Sequence, residues 1–161
     1  MKLVRAHKEH FTFNLSRREK QLLWRVLQKY PLVPPSHHQL RKSEGSTNPE
    51  DQRLLEEAVA EQRRDYRKLL QAMMDDPTRF RETTNGVECS FTDAEIESLL
   101  QALNDVRVGA WLLLGEPGEL DSTQINRASA PYLLVMEGAG YFQSELLAAL
   151  GHGQTAPPDE R

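Results

Sequence analysis

Two stretches of this chain follow one pattern. "FTFNLSRREKQLLWRVLQ", from Phe11, and "VECSFTDAEIESLLQALN", from Val87, align without a gap. Phe11, Phe13 and Leu15 alternate with polar residues in the first, and Val87, Cys89 and Phe91 alternate in the second. Period two places each set on one face of a short, half-buried strand. Each strand runs into Ser/Thr-x-x-Glu, at Ser16 to Glu19 and at Thr92 to Glu95. In that box the hydroxyl accepts from an early helix amide and the glutamate reaches back to the cap's own amide. A leucine-rich stripe follows, with Leu23 matching Leu99 and Leu27 matching Leu103. A duplicated unit and two independent capped junctions both produce this pattern. Either way, two strands that each feed a helix predict a small sheet beside a helical core.

The other segments fill in around these units. The first helix ends near Tyr30-Pro31, and "PLVPPSHHQL" cannot be helical, because Pro34 and Pro35 lack donors and bias their neighbours to extended backbone. Residues 36–48 read as a flexible linker, polar and rich in small residues. Asn48-Pro49 starts a long helix to about Asp75, with Leu54, Leu55, Ala58, Tyr66, Leu69, Leu70 and Met73 as its apolar side. Its Glu57–Glu61 and Glu61–Asp65 neighbours repel, so this helix needs tertiary packing. Asn85-Gly86 predicts a hairpin turn before the second strand. Gly115 and Pro117 stop the third helix. A last helix, from about Pro131 to Leu150, is apolar almost all round and reads as central. Residues 151–161 read as a disordered tail.

A chain of 161 residues supports one domain with a real core. Its net charge of −4 argues against a broad nucleic-acid face, although Arg17, Arg18, Lys20, Arg25 and Lys29 give the first helix a basic side. A lone cysteine excludes an intrachain disulfide framework and fits a reducing compartment. The opening residues carry no signal-peptide run, and no stretch approaches the length of a transmembrane span. The expected location is the cytoplasm.

Catalytic and metal chemistry find little footing. His7 and His10 precede or enter a strand, His37 and His38 sit in a proline loop, and His152 lies in the tail. No His-Glu-x-x-His run or cysteine pair accompanies them, so no metal site is expected. Cys89 falls on the apolar strand face and Ser16 is a cap, which leaves neither as a nucleophile. Gly138 and Gly140 lack a preceding strand and a Gly-Lys-Ser/Thr, and read as small residues for close helix packing. No cofactor is implied.

One residue stands out in "LLQALNDVRVGAWLLLG". Ile96, Leu99, Leu100, Leu103, Val106, Ala110 and Leu114 form a stripe at helical spacing, and Arg107 falls near its middle, flanked by Asn104 and Trp111, while Asp105 faces away. A buried arginine must be paired. The last helix supplies Glu137 and Glu145, the latter near Gln143. Two readings follow: a buried ion pair that fixes helix register, or an anion- or partner-binding spot built from Arg107 and Asn104.

"LNDVRVGAWLLLG", preceded by "FTDAEIESLLQAL" and followed by a helix with "FQSELL", resembles the bacterial family known as domain of unknown function 2017. Ala102, Leu103, Asn104, Asp105 and Arg107 match its helix motif, and Gln143, Glu145 and Leu146 its terminal one. "VGAWLLLGEPGEL" and Gly138 to Gly140 depart from it. The resemblance implies no assigned activity, a loose association with transcriptional regulation, and a genomic neighbourhood near the adaptor of the Clp protease. The expectation is therefore an α+β, predominantly helical, single domain over residues 1–150, with about four main helices and a small antiparallel sheet. Its expected role is non-enzymatic protein interaction or regulation. A nucleic-acid-binding regulator is the alternative, and an enzyme of unknown activity comes third.

Overall fold

A computed structural model describes residues 1–7, 9–35, 48–116 and 126–153. The elements are β1 (Lys2–His7), β2 (His10–Leu15), α1 (Arg17–Leu27), α2 (Pro49–Asp75), β3 (Phe80–Thr83), β4 (Gly86–Thr92), α3 (Asp93–Leu113) and α4 (Ala130–Gly153). The order is ββαα, then ββαα again. The fold is α+β and predominantly helical, as the sequence predicts.

The strands form one antiparallel sheet in the order β1-β2-β4-β3. Phe11 pairs with Phe91, Phe13 with Cys89 and Leu15 with Val87, so the two alternating faces become one buried surface. The outer hairpins repeat each other. Arg5 pairs with Thr12 and His7 with His10, while Arg81 pairs with Glu88 and Thr83 with Gly86. Every partner in the second set lies 76 residues beyond its counterpart, the same offset that separates Ser16 from Thr92. Exchanging the halves leaves this register unchanged. The echo is a repeated structural unit, not two unrelated junctions.

Both capping boxes form. Ser16 Oγ accepts from the Glu19 amide at 3.2 Å, and Thr92 Oγ1 accepts from the Glu95 amide at 3.2 Å. Each glutamate also answers its cap's amide, at 2.7 and 2.9 Å. The two glutamates then fasten different neighbours. Glu95 takes both terminal nitrogens of Arg79, at 2.6 and 2.9 Å, holding the start of the second hairpin to α3. Burial tends to raise the Glu95 carboxyl, and the Arg79 pairing outweighs it, leaving it below the usual range. Glu19 accepts from the Tyr141 hydroxyl at 2.5 Å and from the Met1 amino group, tying α1 to α4. Burial opposes its charge too, but these donors and Ser16 hold it down at about 2.

The structure revises several boundaries and faces. β1 is an additional strand, bulged between Leu3 and Arg5. The hairpin turn is centred on Thr84 and Asn85, and Gly86 opens β4 at φ 140°, where a Cβ would lie 2.3 Å from the Leu15 carbonyl oxygen. Only Gly fits there. α4 runs through Gly153, past the expected start of the tail, and residues 154–161 lie outside the described residues, as do residues 36–47 of the expected linker. α4 is buried along one side, through Val135, Ala139, Phe142, Leu146 and Ala149, whereas Leu134 and Leu147 are exposed. That side packs on α1, α3 and β1, and the apolar residues of the other side remain exposed. α2 buries only Leu70, Met73 and Met74; Leu54, Ala58 and Leu69 face solvent. Among the described residues, no helix is long and apolar enough to cross a membrane.

Candidate functional site

Asp105 is the polar group of α3 that anchors the segment following α1. Its Oδ1 accepts from the Leu32 amide at 2.6 Å and from the Val33 amide at 3.2 Å, and Arg63 of α2 stands 3.7 Å from its Oδ2. One turn along α3, Gly109 lets the same segment lie directly on the helix. A Cβ there would sit 2.6 Å from the Leu32 carbonyl carbon and 2.7 Å from the Val33 nitrogen. Side chains at i and i+4 share a helix face, so Asp105 and Gly109 form one docking strip. Tyr66 of α2 donates to Gln101 of α3 at 2.6 Å, and its ring lies 6.1 Å from that of Tyr30. Burial and then the Asp105 carboxylate push the Tyr30 phenol above its usual range, against the opposing Arg63 charge.

This clamp fixes Pro31 to Pro35 opposite the middle of α2. The two walls enclose a groove of about 450 Å³ lined by Pro31, Pro35, Leu55, Val59, Ala60 and the arginines Arg63, Arg64 and Arg67, with Glu56 at its rim. Leu55 and Val59 are half-buried, and nothing in the first half of α2 is fully buried. Among the described residues, Arg64 and Arg67 carry no ion pair, and Glu56 accepts from Gln52 at 2.9 Å. Beyond Arg67 the basic rim continues to Lys29 in an adjoining recess. An apolar floor with charged edges can seat a partner's side chains, and Glu56 is the one carboxylate in its lining. Among the described residues no three His, Cys, Asp or Glu side chains converge on one point, and burial pushes the Cys89 thiol up to about 12.

The buried ion pair expected at Arg107 does not form. Arg107 is exposed; its Nη1 reaches Gln143 Oε1 at 3.4 Å, and its guanidinium lies over Gly140, whose Cβ position is 3.7 Å from Nε. Glu137 is exposed and Glu145 half-buried, and neither pairs with Arg107 among the described residues. Asn104 and Trp111 are exposed beside it. The reason lies in the small residues. Ala102 and Gly109 are buried, and counting them moves the centre of the stripe to between Leu103 and Val106. At about 100° per residue, that leaves Arg107 roughly 80° off centre, on the shoulder facing α4. Asp105, set aside as outward-facing, is the anchored residue. The "D-x-x-x-G" spacing of Asp105 and Gly109, with a proline-bounded segment elsewhere to receive, was the available signal.

No protein-family model, curated protein or solved structure matches the chain.

Proposed function

We propose that the chain is a cytoplasmic, non-enzymatic interaction domain of bacterial type, and that the groove between α2 and Pro31–Pro35 is its contact surface. One observation carries this reading: an apolar groove edged by arginines, one wall anchored on Asp105, runs along a helix whose first half buries none of its own residues. A helix of that kind is stabilised by what packs on it. The resemblance to domain of unknown function 2017 belongs to this proposal, and a connection to Clp-type proteostasis rests on that resemblance.

The alternative nucleic-acid reading used the basic side of α1. Part of that side has other engagements: Arg17 lies 3.3 Å from Glu82, and Lys20 sits 4.6 Å over the Phe80 ring. Quantitative affinity capture compares the native chain with Val59→Glu and Arg107→Met. A protein held by the native chain and by Arg107→Met, and lost with Val59→Glu, supports the groove. Loss with Arg107→Met alone moves the interface to the α3–α4 edge and overturns it. Duplex DNA affinity that falls steeply with salt replaces it with the regulator reading.

A further inference from the structure

We propose that the groove receives an amphipathic helix from a partner protein, with apolar residues on its inner face and carboxylates along its flank. This rests on the groove being the contact surface and adds the partner's chemistry.

The shape argues for a helix. Leu55, Val59, Arg63 and Arg67 succeed one another at four-residue intervals, a ridge of about 18 Å at 1.5 Å per residue. A bound helix lays residues at i, i+3, i+4 and i+7 against such a ridge. Strand addition needs free backbone donors and acceptors. Neither wall supplies a continuous edge: α2 spends its amides within the helix, and the facing segment is bounded by Pro31 and Pro35, which have none. Polyproline ligands dock in aromatic-lined grooves, and this lining contains no aromatic residue.

The charges select the flank. Arg64 and Arg67 border the groove without an ion pair among the described residues, and Lys29 extends the same edge. The acidic residues of α2 do not neutralise them in place. Glu56 in the lining accepts from Gln52, Glu57 pairs with Arg53 and Asp65 with Lys68, and Glu61, one turn before Arg64, forms no ion pair with it among the described residues. A nucleic-acid backbone would meet an apolar floor whose lining holds no stacking ring. A partner helix meets Leu55 and Val59 with its apolar face and the arginine edge with its carboxylates.

Two synthetic peptides test this by fluorescence anisotropy with the full chain. Both carry leucine at i, i+3, i+4 and i+7 over four turns, one with glutamate on its flanks and one with lysine. The glutamate peptide is expected to bind, and Arg64→Glu/Arg67→Glu should weaken it at least tenfold. The lysine peptide should bind the native chain at least tenfold more weakly and gain affinity for the double variant. Both substitutions are on exposed residues, and far-ultraviolet circular dichroism verifies the fold. Equal affinity for the two peptides, no binding of either, or indifference to the charge reversal overturns the proposal. So does a concentration-dependent dimer abolished by Arg64→Glu/Arg67→Glu, which would make a second copy of this chain the occupant, presenting its own carboxylates. Oligonucleotide binding abolished by the same variant overturns it as well. A natural partner that requires Val59 but docks a neutral or basic segment overturns only the acidic flank and leaves the contact surface standing.

Discussion

Phe13 and Cys89 face each other across the centre of the sheet, and each also occupies the other's place in the repeated unit. This double relationship is what lets one ββαα pattern be used twice. Residues equidistant from this pair, such as Phe11 with Phe91 and Leu15 with Val87, meet in register. The two halves therefore close on one shared apolar face. Phe13 is fully buried and its ring lies 6.2 Å from that of Phe91. Phe13→Ala is expected to cost about 3–5 kcal/mol, read from denaturant unfolding. A cost under about 1 kcal/mol would remove Phe13 from the centre of the core.

Asp105 and Arg107 exchange the roles that periodicity alone assigns them. Asp105→Ala strands two backbone donors and the Arg63 charge, and is expected to destabilise by about 2–4 kcal/mol. Arg107→Met should fall within about 0.5 kcal/mol of the native chain, since it loses one long contact on an exposed surface. Thermal unfolding of both variants checks the order. The reverse ranking would restore the buried-arginine account.

The two α3–α4 glycine contexts separate in the same way. Gly109→Ala drives a methyl group into the Leu32 backbone and should destabilise by more than about 1 kcal/mol. Gly140→Ala meets Arg107 at ordinary contact distance and should be tolerated or slightly stabilising, since alanine is the better helix former.

Acid should loosen the α1–α4 tie. The Glu19 carboxyl is held at about 2, below its ordinary 4.5, so its contribution is fully present above pH 4.5 and is lost as pH falls toward 2. Glu95, also depressed, adds to the loss in the same direction. Unfolding free energy of Glu19→Gln, followed from pH 5 downward, should fall less steeply than that of the native chain. An identical slope would exclude Glu19 from the acid response.

The elements with strong local signals were legible: β2, β4, α1 and α3 through alternation and capping boxes, and α2 through Asn48-Pro49, whose side chain does accept from the Glu50 amide at 3.2 Å. β1 was not. "KLVRAH" is an edge strand with mostly exposed side chains, so it shows no period-two contrast. The α2 face was misplaced because its early leucines pack on little, and amphipathic spacing cannot tell a packed stripe from an unoccupied one. The groove was hidden for a different reason. It arises from a contact between Leu32 and Asp105, distant in sequence, in which the backbone of one segment meets a carboxylate and a glycine of another.

Site-specific photo-cross-linking tests the contact surface most directly. A benzophenone amino acid is placed at Val59 in one chain and at Arg107 in another, and both are illuminated in native lysate. Val59 is expected to capture one protein through a defined segment, confirmed with purified components, and Arg107 is expected to capture none. Capture at Arg107 with silence at Val59 would contradict it.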